Sequence, residues 1–248
     1  EMPEGRNALR VNFQREPAAG HDDRLADDRP VRLILRPDIE DRSFHDLTKA
    51  YSGPENRWPG AVSAFDDGFR FAPDRSRILT VRLPGGFFRP EPEWQYMVHR
   101  PLGAQRGMDP DSDLFSPGYF SIPLAGGQGV RLDAWTDGDA PSSVPETGFV
   151  PAAPPAPLPV PDLLGRSLSR FVVRRDRHRT VIAGYPWFLD WGRDTLIVVR
   201  GLIADGRLTE ARDILIQFAR FEDRGTLPNM IRGRDATNRD TSDAPLWF

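Results

Sequence analysis

The sequence predicts a multidomain protein in which a β-rich N-terminal half precedes a helical C-terminal half. Apolar and polar residues alternate in short runs within residues 1–150, which is the period of a half-buried strand. A proline-rich segment at 151–161 separates these runs from residues 162–248, where apolar residues recur every three or four positions. We therefore expect an antiparallel β-sandwich at 1–150, a linker at 151–161 and packed helices at 162–248.

Three alternating runs indicate strands in the first half: "VRLILR" (31–36), "RILTVRL" (77–83) and "GVRLDAW" (129–135). Between them lie breaks such as "LPGG" and "AGGQG", whose glycines and proline are typical of the turns that join antiparallel strands. The segment "RGMDPDSDLFSPG" (106–118) is too polar for a strand, and we predict a surface loop there.

The linker prediction depends on proline content. The segment "PAAPPAPLPVP" (151–161) has six prolines in eleven residues. Proline lacks a backbone N–H and cannot continue a helix or pair within a sheet, so this segment is expected to be an extended, semi-rigid connector.

Helical signals follow the linker. Pro161 and Asp162 are typical of a helix start, and apolar residues follow at helical spacing. The run from Thr195 to Ile203 is apolar almost all round, which predicts a helix buried on most sides. The next helix is expected to be amphipathic and to end at Gly225. Its predicted apolar stripe is Leu208, Ala211, Leu215, Phe218 and Phe221, and its predicted polar face is Glu210, Arg212, Asp213 and Gln217. A further helix is predicted to start within "TSDAPLWF" (241–248).

Paired buried and exposed helices build bundles or toroids. A closed toroid takes several hundred residues, many more than residues 162–248 supply. The chain also ends on three large apolar residues, Leu246, Trp247 and Phe248, each of which would gain about 2 kcal/mol from burial. We therefore expect this chain to be the front part of a longer protein.

Composition argues against several classes of partner and cofactor. The net charge is −3, with arginines interleaved among acids, so no basic surface is expected to attract nucleic acid or anionic lipid. No apolar run is long enough to span a bilayer, and no signal peptide is visible. The absence of cysteine excludes disulfides and thiolate metal sites, and the four histidines show no metal-ligand spacing. We predict a cytoplasmic protein without metal or cofactor.

The segment "AGYPWFLDWGRDTLIVVRGL" (183–202) is the first candidate site. It sets Asp190, Arg193 and Asp194 among four aromatic residues, Tyr185, Trp187, Phe188 and Trp191, at the start of an apolar helix. A sugar ring has apolar faces that indoles cover and hydroxyls that carboxylates and guanidinium groups bind. The helix dipole stabilises Asp194 as an anion. The alternative is structural: Asp194 caps the helix and Arg193 pairs with Asp190.

The second candidate site lies in "LPNMIRGRDATNRDTSDAPLWF" (227–248). Asp240, Asp243 and Trp247 are three to four residues apart and could share one face of a helix start. The structural alternative is that Thr241, Ser242 or Asp243 is an N-cap and Trp247 is core. Because each segment enters a buried helix with Asp and Trp, we expect the two to face one pocket.

Residues of the first half offer a weaker carbohydrate signal. We expect His45, Asp46, Trp58, Trp94 and Trp135 to serve core packing rather than a carbohydrate-binding sheet face.

Together, "AGYPWFLDWGRDTLIVVRGLIADGRLTEARDILIQFA" (183–219), "GTLPNMI" (225–231) and "DTSDAPLWF" (240–248) resemble the amylo-α-1,6-glucosidase region of glycogen debranching enzymes. The resemblance covers about residues 162–248. More weakly, "FHDLTKAY", "RGMD" and "SPGYFSIPL" resemble the N-terminal β-sandwich of the bacterial members.

The resemblance implies an N-terminal sandwich packed on an (α/α)6 toroid, and an inverting exo-glucosidase that removes α-1,6-linked glucose from glycogen. Arg193 and Asp194 match the pair that holds sugar hydroxyls in related toroid glucosidases, and Trp187 and Trp191 would flank that sugar. Asp243 and Trp247 match a second pocket-lining motif. The catalytic acid and base are expected beyond residue 248, and no cofactor is implied.

One departure concerns substrate choice. Many relatives have Tyr-Asn-Thr where this chain has Arg239-Asp240-Thr241, which adds a carboxylate. A related toroid glycosidase acting on trehalose, mannosylglycerate or another oligosaccharide is one alternative. A non-catalytic carbohydrate-binding protein is the other. The expected partner in each case is an α-glucan or oligosaccharide.

Overall fold

A computed structural model of the protein describes residues 2–3, 6–18, 20, 24–43, 46–105, 107–136, 158–185, 188–240 and 243–248. The chain divides into two compact units, Glu1–Ala153 and Pro154–Phe248. Residues 151–157 of the predicted linker, His45, Trp187, Thr241 and Ser242 lie outside the described residues.

The first unit is mainly antiparallel β-structure. Its described strands are β1 (Ala8–Gln14), β2 (Val31–Leu35), β3 (Val62–Phe65), β4 (Gly68–Asp74), β5 (Arg77–Arg82), β6 (Phe87–His99), β7 (Asp111–Leu124) and β8 (Gly129–Thr136). Short helices α1 (Pro54–Arg57) and α2 (Pro101–Gln105) and 3-10 turns at Ala50–Ser52 and Pro59–Ala61 connect them. One sheet has the order β1-β8-β5-β4-β3 and the other β2-β7-β6. The three predicted strand runs correspond to β2, β5 and β8.

The two sheets of the first unit share one aromatic core. Phe69 on β4 packs against Phe88 on β6 and Phe120 on β7, with ring centroids 4.9 and 6.1 Å apart. Trp58 is buried in the same cluster and Trp94 packs against it, so the core-packing prediction is confirmed for these two residues. It is wrong for Asp46, which is exposed, and Trp135 is half-buried outside this cluster. This arrangement is consistent with the predicted β-sandwich.

The loop predicted at 106–118 is wrong over most of its length, because β7 begins at Asp111 and runs to Leu124. Ser112, Asp113 and Ser116 are buried in this strand. Burial of a polar group is tolerated when it is hydrogen-bonded. The Asp113 carboxylate accepts two backbone N–H groups, and the Ser112 hydroxyl donates to Glu40 at 3.0 Å. The polar residues of this segment therefore belong to a buried strand in which they form specific hydrogen bonds, and not to a solvated loop.

The second unit combines helices with short strands. In chain order these are α3 (Val160–Phe171), β9 (Val172–Arg175), β10 (His178–Val181), β11 (Asp190–Trp191), α4 (Gly192–Ala204), α5 (Leu208–Ala219), β12 (Met230–Ile231) and α6 (Ala244–Trp247). The predicted helix starts near Pro161 and within 241–248 are confirmed. The β9–β10 hairpin was missed, because "VVRRDRHRTV" (172–181) does not alternate between apolar and polar residues. In the turn between the two strands Asp176 has a φ of 51°.

Helix α4 is buried along one stripe rather than on most sides. Gly192, Thr195, Leu196, Val199 and Leu202 are buried, at the spacing of a single helix face. Ile197 and Ile203 lie on the other face and are exposed. The apolar composition predicted the helix, but it did not predict which of the apolar side chains are buried against the rest of the unit.

Two expectations for α5 are also corrected. Gln217, assigned to the polar face, is fully buried, whereas Leu208, assigned to the apolar stripe, is exposed. The helix ends at Ala219, before Gly225, which instead has a φ of 77° in the following turn. Within the described part of the chain, no helix has both the length and the apolar character needed to cross a bilayer.

Candidate functional site

The first candidate segment forms the entry to α4. Trp191 ends the short strand β11 and is the N-cap residue of α4, with no side-chain capping hydrogen bond. Arg193 and Asp194 lie in the first helical turn and are exposed. An aspartate at this position lies near the positive end of the helix dipole.

The second candidate segment packs directly against this entry. Strand β12 pairs with β11, placing Met230 opposite Trp191 and Ile231 opposite Asp190. The Gly192 N–H donates to the carbonyl of Asn229 at 2.9 Å. A small buried cluster of Leu196, Leu227 and Ala244 then joins α4 to the start of α6. The structure therefore brings together the two segments that were expected to share a pocket.

A charged contact links the two segments at the surface. Arg193 Nη1 lies 3.5 Å from Asp243 Oδ2. Asp243 is the N-cap residue of α6, but its side chain makes no capping hydrogen bond. The expected alternative, in which Arg193 pairs with Asp190, is wrong. An exposed guanidinium beside a half-buried carboxylate is able to bind neighbouring hydroxyls of a polar ligand.

Asp190 has a structural partner instead. Its side chain is 1% exposed and receives two hydrogen bonds from Arg175, at 2.5 and 2.8 Å, and one from the Thr180 hydroxyl at 3.1 Å. Arg175 Nη1 also donates to the carbonyl of Gly233 at 2.7 Å. One side chain of the missed hairpin thus holds both candidate segments. Because this pairing joins residues on separate strands, no local sequence pattern indicates it.

The close approach of the segments needs glycine at the start of α4. A Cβ built on Gly192 would lie 2.2 Å from the carbonyl oxygen of Pro228 and 3.6 Å from the Ala244 Cβ. No side chain fits at the first of these distances. Gly192 therefore sets how closely the 228–231 backbone approaches the start of α4.

The candidate aromatic residues have different environments. Trp191 is half-buried, while Tyr185 and Phe188 are exposed. Trp247 is also exposed, and the Arg200 guanidinium lies 5.7 Å from its ring centroid. Trp187 lies outside the described residues. The structure thus places Trp247 on α6 beside Arg200 of α4.

The departure at Arg239-Asp240 has a structural counterpart. Arg239 donates to the carbonyls of Phe221 and Thr226, at 2.6 and 3.1 Å, and to the Thr226 hydroxyl at 3.0 Å. Arg239 therefore ties the segment before α6 to the end of the α5 region. Asp240 is exposed beside it.

One carboxylate of the second segment has a shifted pKa. Asp235 accepts hydrogen bonds from the Thr237 hydroxyl and backbone N–H, at 2.6 and 2.9 Å, and these lower the pKa of Asp235 below its ordinary value. Asp190 is buried in an ion pair with Arg175, and we assign it a structural role. Among the residues with described positions, no group of three or more His, Asp or Glu side chains is arranged to hold a metal ion.

Two known families match separate parts of the chain. The family described as "Glycogen debranching enzyme N terminal" matches residues 1–131, and the family described as "Amylo-alpha-1,6-glucosidase" matches residues 166–248. No solved structure matches the chain. The first match alone covers more than half of the 248 residues, and the chain therefore belongs to the glycogen debranching enzyme family.

Proposed function

We propose that this chain belongs to a glycoside hydrolase that removes α-1,6-linked glucosyl residues from glycogen or related α-glucans with inversion at the anomeric carbon. The family match over residues 166–248 supports the reaction class. One structural observation supports the proposed sugar site: Arg193 at the start of α4 contacts Asp243 at the start of α6.

In this proposal the charged residues bind the sugar hydroxyls and the aromatic residues cover its faces. The hydroxyl-binding residues are Arg193, Asp194, Asp240 and Asp243, and the aromatic residues are Tyr185, Trp187, Trp191 and Trp247. Asp194 lies in the first turn of α4, and Asp243 is the N-cap residue of α6. Their carboxylate oxygens accept hydrogen bonds from the sugar hydroxyls.

Inverting hydrolysis uses two carboxyl groups roughly 6.5–9.5 Å apart, one to protonate the leaving oxygen and one to activate water. We assign neither role to a residue of this chain. We propose that both carboxyl groups belong to the full-length enzyme, in which residues 162–248 form the first helices of an (α/α)6 toroid. Residues 1–150 are the N-terminal domain of this proposal, and 151–161 are the linker.

Isothermal titration of the full-length protein with glucosyl-branched maltodextrin tests the site. Replacing Asp194 with Asn should weaken binding about 10- to 100-fold, since a hydrogen bond to a charged group contributes about 1.5–3 kcal/mol. Asp205→Asn is the matched control, because Asp205 is exposed at the opposite end of α4.

Equal binding by the wild type and Asp194→Asn would remove Asp194 from the sugar site. A wild-type protein that releases no glucose from the branched substrate would contradict the proposed reaction. A panel of disaccharides, including trehalose, measures the linkage preference in the same assay.

A further inference from the structure

We propose a second carbohydrate contact on the first unit, which binds a chain of an α-glucan. It consists of two tyrosines, Tyr51 and Tyr96, together with Met97, and we call it the aromatic patch. The identity of the polymer rests on the proposed function. The site itself rests on the exposure, support and charge environment of these three residues.

All three side chains are presented to solvent. Tyr51 is 81% exposed, Met97 is 72% exposed and Tyr96 is 56% exposed. Scattered single apolar residues are normal on a protein surface, but a supported group of them indicates a binding surface.

A β-bulge presents the Tyr96 side of the patch. The pairing of β6 with β7 shifts register between Gln95 and Val98, so Tyr96 and Met97 fall in the irregular stretch. Met97 has a φ of 54°, a conformation that residues with a Cβ rarely adopt. Bulges redirect side chains and are common beside functional sites.

One buried carboxylate ties this bulge to the segment that carries Tyr51. Asp113 Oδ1 accepts the Met97 N–H at 2.8 Å, and Asp113 Oδ2 accepts the Ala50 N–H at 2.7 Å. Ala50 starts the 3-10 turn that contains Tyr51. The backbones next to both tyrosines therefore converge on a single side chain of β7.

The Tyr96 ring is held in a defined orientation. Its hydroxyl donates to the Glu55 carboxylate on α1, and this hydrogen bond raises the pKa of the Tyr96 phenol. Its ring lies 18° from parallel to the Trp94 ring, which in turn stacks on buried Trp58. A rigid ring loses little conformational freedom on binding, which favours its use as a platform.

The charges of this region argue against an anionic ligand. Lys49 Nζ lies 2.9 Å from Asp109, and His99 Nδ1 lies 3.0 Å from Asp111. Glu55 accepts a hydrogen bond from the neutral Tyr96 hydroxyl and keeps its negative charge. Carboxylates therefore outnumber the one lysine named here, which disfavours an anionic ligand and leaves carboxylate oxygens that accept hydrogen bonds from hydroxyl groups. Aromatic faces with hydrogen-bonding neighbours suit a neutral polyhydroxylated chain.

A second contact would matter most for a polymer. A branched glucan presents many chains, so a contact outside the reaction site raises the effective concentration of chain ends around the enzyme. The patch should therefore affect binding of glycogen far more than binding of a short oligosaccharide.

Affinity electrophoresis of the full-length protein in gels containing glycogen tests this proposal. The double variant Tyr51→Ala/Tyr96→Ala should bind glycogen about tenfold more weakly, the loss expected for two aromatic–sugar contacts. Phe87→Ala is the matched control, because Phe87 lies on the same strand and is 57% exposed. Binding of glucosyl-branched maltodextrin should be unchanged in both variants.

If glycogen slows the double variant in the gel as much as it slows the wild type, the proposed patch is wrong. This result is independent of the reaction site, which is supported if Asp194→Asn loses oligosaccharide binding. Met97→Gly provides a test that does not depend on the tyrosine variants folding, because glycine suits the left-handed conformation. It should weaken glycogen binding while preserving the thermal unfolding midpoint. A Met97→Gly protein with wild-type glycogen affinity would also contradict the proposal.

Discussion

Arg175 and Asp190 show how one buried pair separates structural from ligand-binding charges. Asp190, Arg193 and Asp194 lie within five residues of one another, yet their environments differ. Asp190 is buried against Arg175, whereas Arg193 and Asp194 are exposed at the helix start. An ion pair inside the protein is costly to break, because it leaves one charge buried without a partner. The two exposed residues remain available for a ligand.

Replacing Arg175 with Ala should lower the free energy of unfolding by about 3–5 kcal/mol, because Asp190 would stay buried without its guanidinium. Denaturant unfolding measures this difference. Arg193→Ala is the control: its pair with Asp243 is exposed, and the expected loss is below about 1 kcal/mol. Similar losses in the two variants would show that Arg175 does not stabilise the site segments through a buried pair.

At the level of elements, helix α4 joins the stability of the second unit to the geometry of the candidate site. Its buried stripe packs on α5, while its first turn carries Arg193 and Asp194. Gly192 allows the 228–231 backbone to approach this turn. Helix position and site geometry therefore depend on the same residue.

Two glycines in α4 provide a matched test of this dependence. Gly192→Ala should destabilise the protein by about 1–3 kcal/mol, as overpacking does, because the new methyl group would meet the Pro228 carbonyl. Gly201→Ala should instead stabilise it by about 0.5–1 kcal/mol, since a Cβ there meets nothing within 4 Å and alanine favours helices. Thermal unfolding of both variants measures these changes in stability relative to the wild type. A Gly192→Ala protein as stable as the wild type would contradict the close approach.

Strand β7 illustrates stabilisation by polar partners at its buried start. Glu40 accepts hydrogen bonds from Arg42 and Ser112, both at 3.0 Å, and lies 3.4 Å from Arg100. Burial by itself would raise the pKa of Glu40, but the hydrogen bonds from Arg42 and Ser112 outweigh it and lower that pKa below 4.5. The ionised carboxylate is thus part of the folded structure.

This shift predicts a pH-dependent contribution of Glu40 to stability. Because the folded pKa lies below the unfolded value, the contribution is complete above about pH 4.5 and is lost as the pH falls through the folded pKa. Glu40→Gln should cost about 1–3 kcal/mol near neutral pH, with a smaller difference from wild type below pH 4.5. Urea unfolding across this range measures it. Glu91→Gln, in the exposed pair with Arg36, is the control, and a pH-independent cost at Glu40 would contradict the assignment.

At the scale of the whole molecule, the chain contains two units to which we assign different functions in one proposed enzyme. The first unit has the debranching-enzyme N-terminal match and carries the aromatic patch, while the second has the glucosidase match and carries the candidate sugar site. The net charge of −3 is small for 248 residues, which suits a neutral polymer better than a polyanion.

The sequence by itself was sufficient for the features that are encoded within a few neighbouring residues. Alternation predicted β2, β5 and β8, and helical spacing predicted α3, α4 and α5. The spaced motifs of 183–248 predicted the family. These signals are local, because the period of a strand or helix and the preference of a turn are properties of adjacent residues.

Only the tertiary structure decided which distant residues become partners. In the structure, buried Asp113 accepts hydrogen bonds from two backbone N–H groups, which allows this polar segment to form a buried strand. It paired Asp190 with Arg175 and left Arg193 beside Asp243, fifty residues away along the chain. The physical reason is that a charge or hydroxyl has many possible partners in sequence, and packing selects among them by distance and burial.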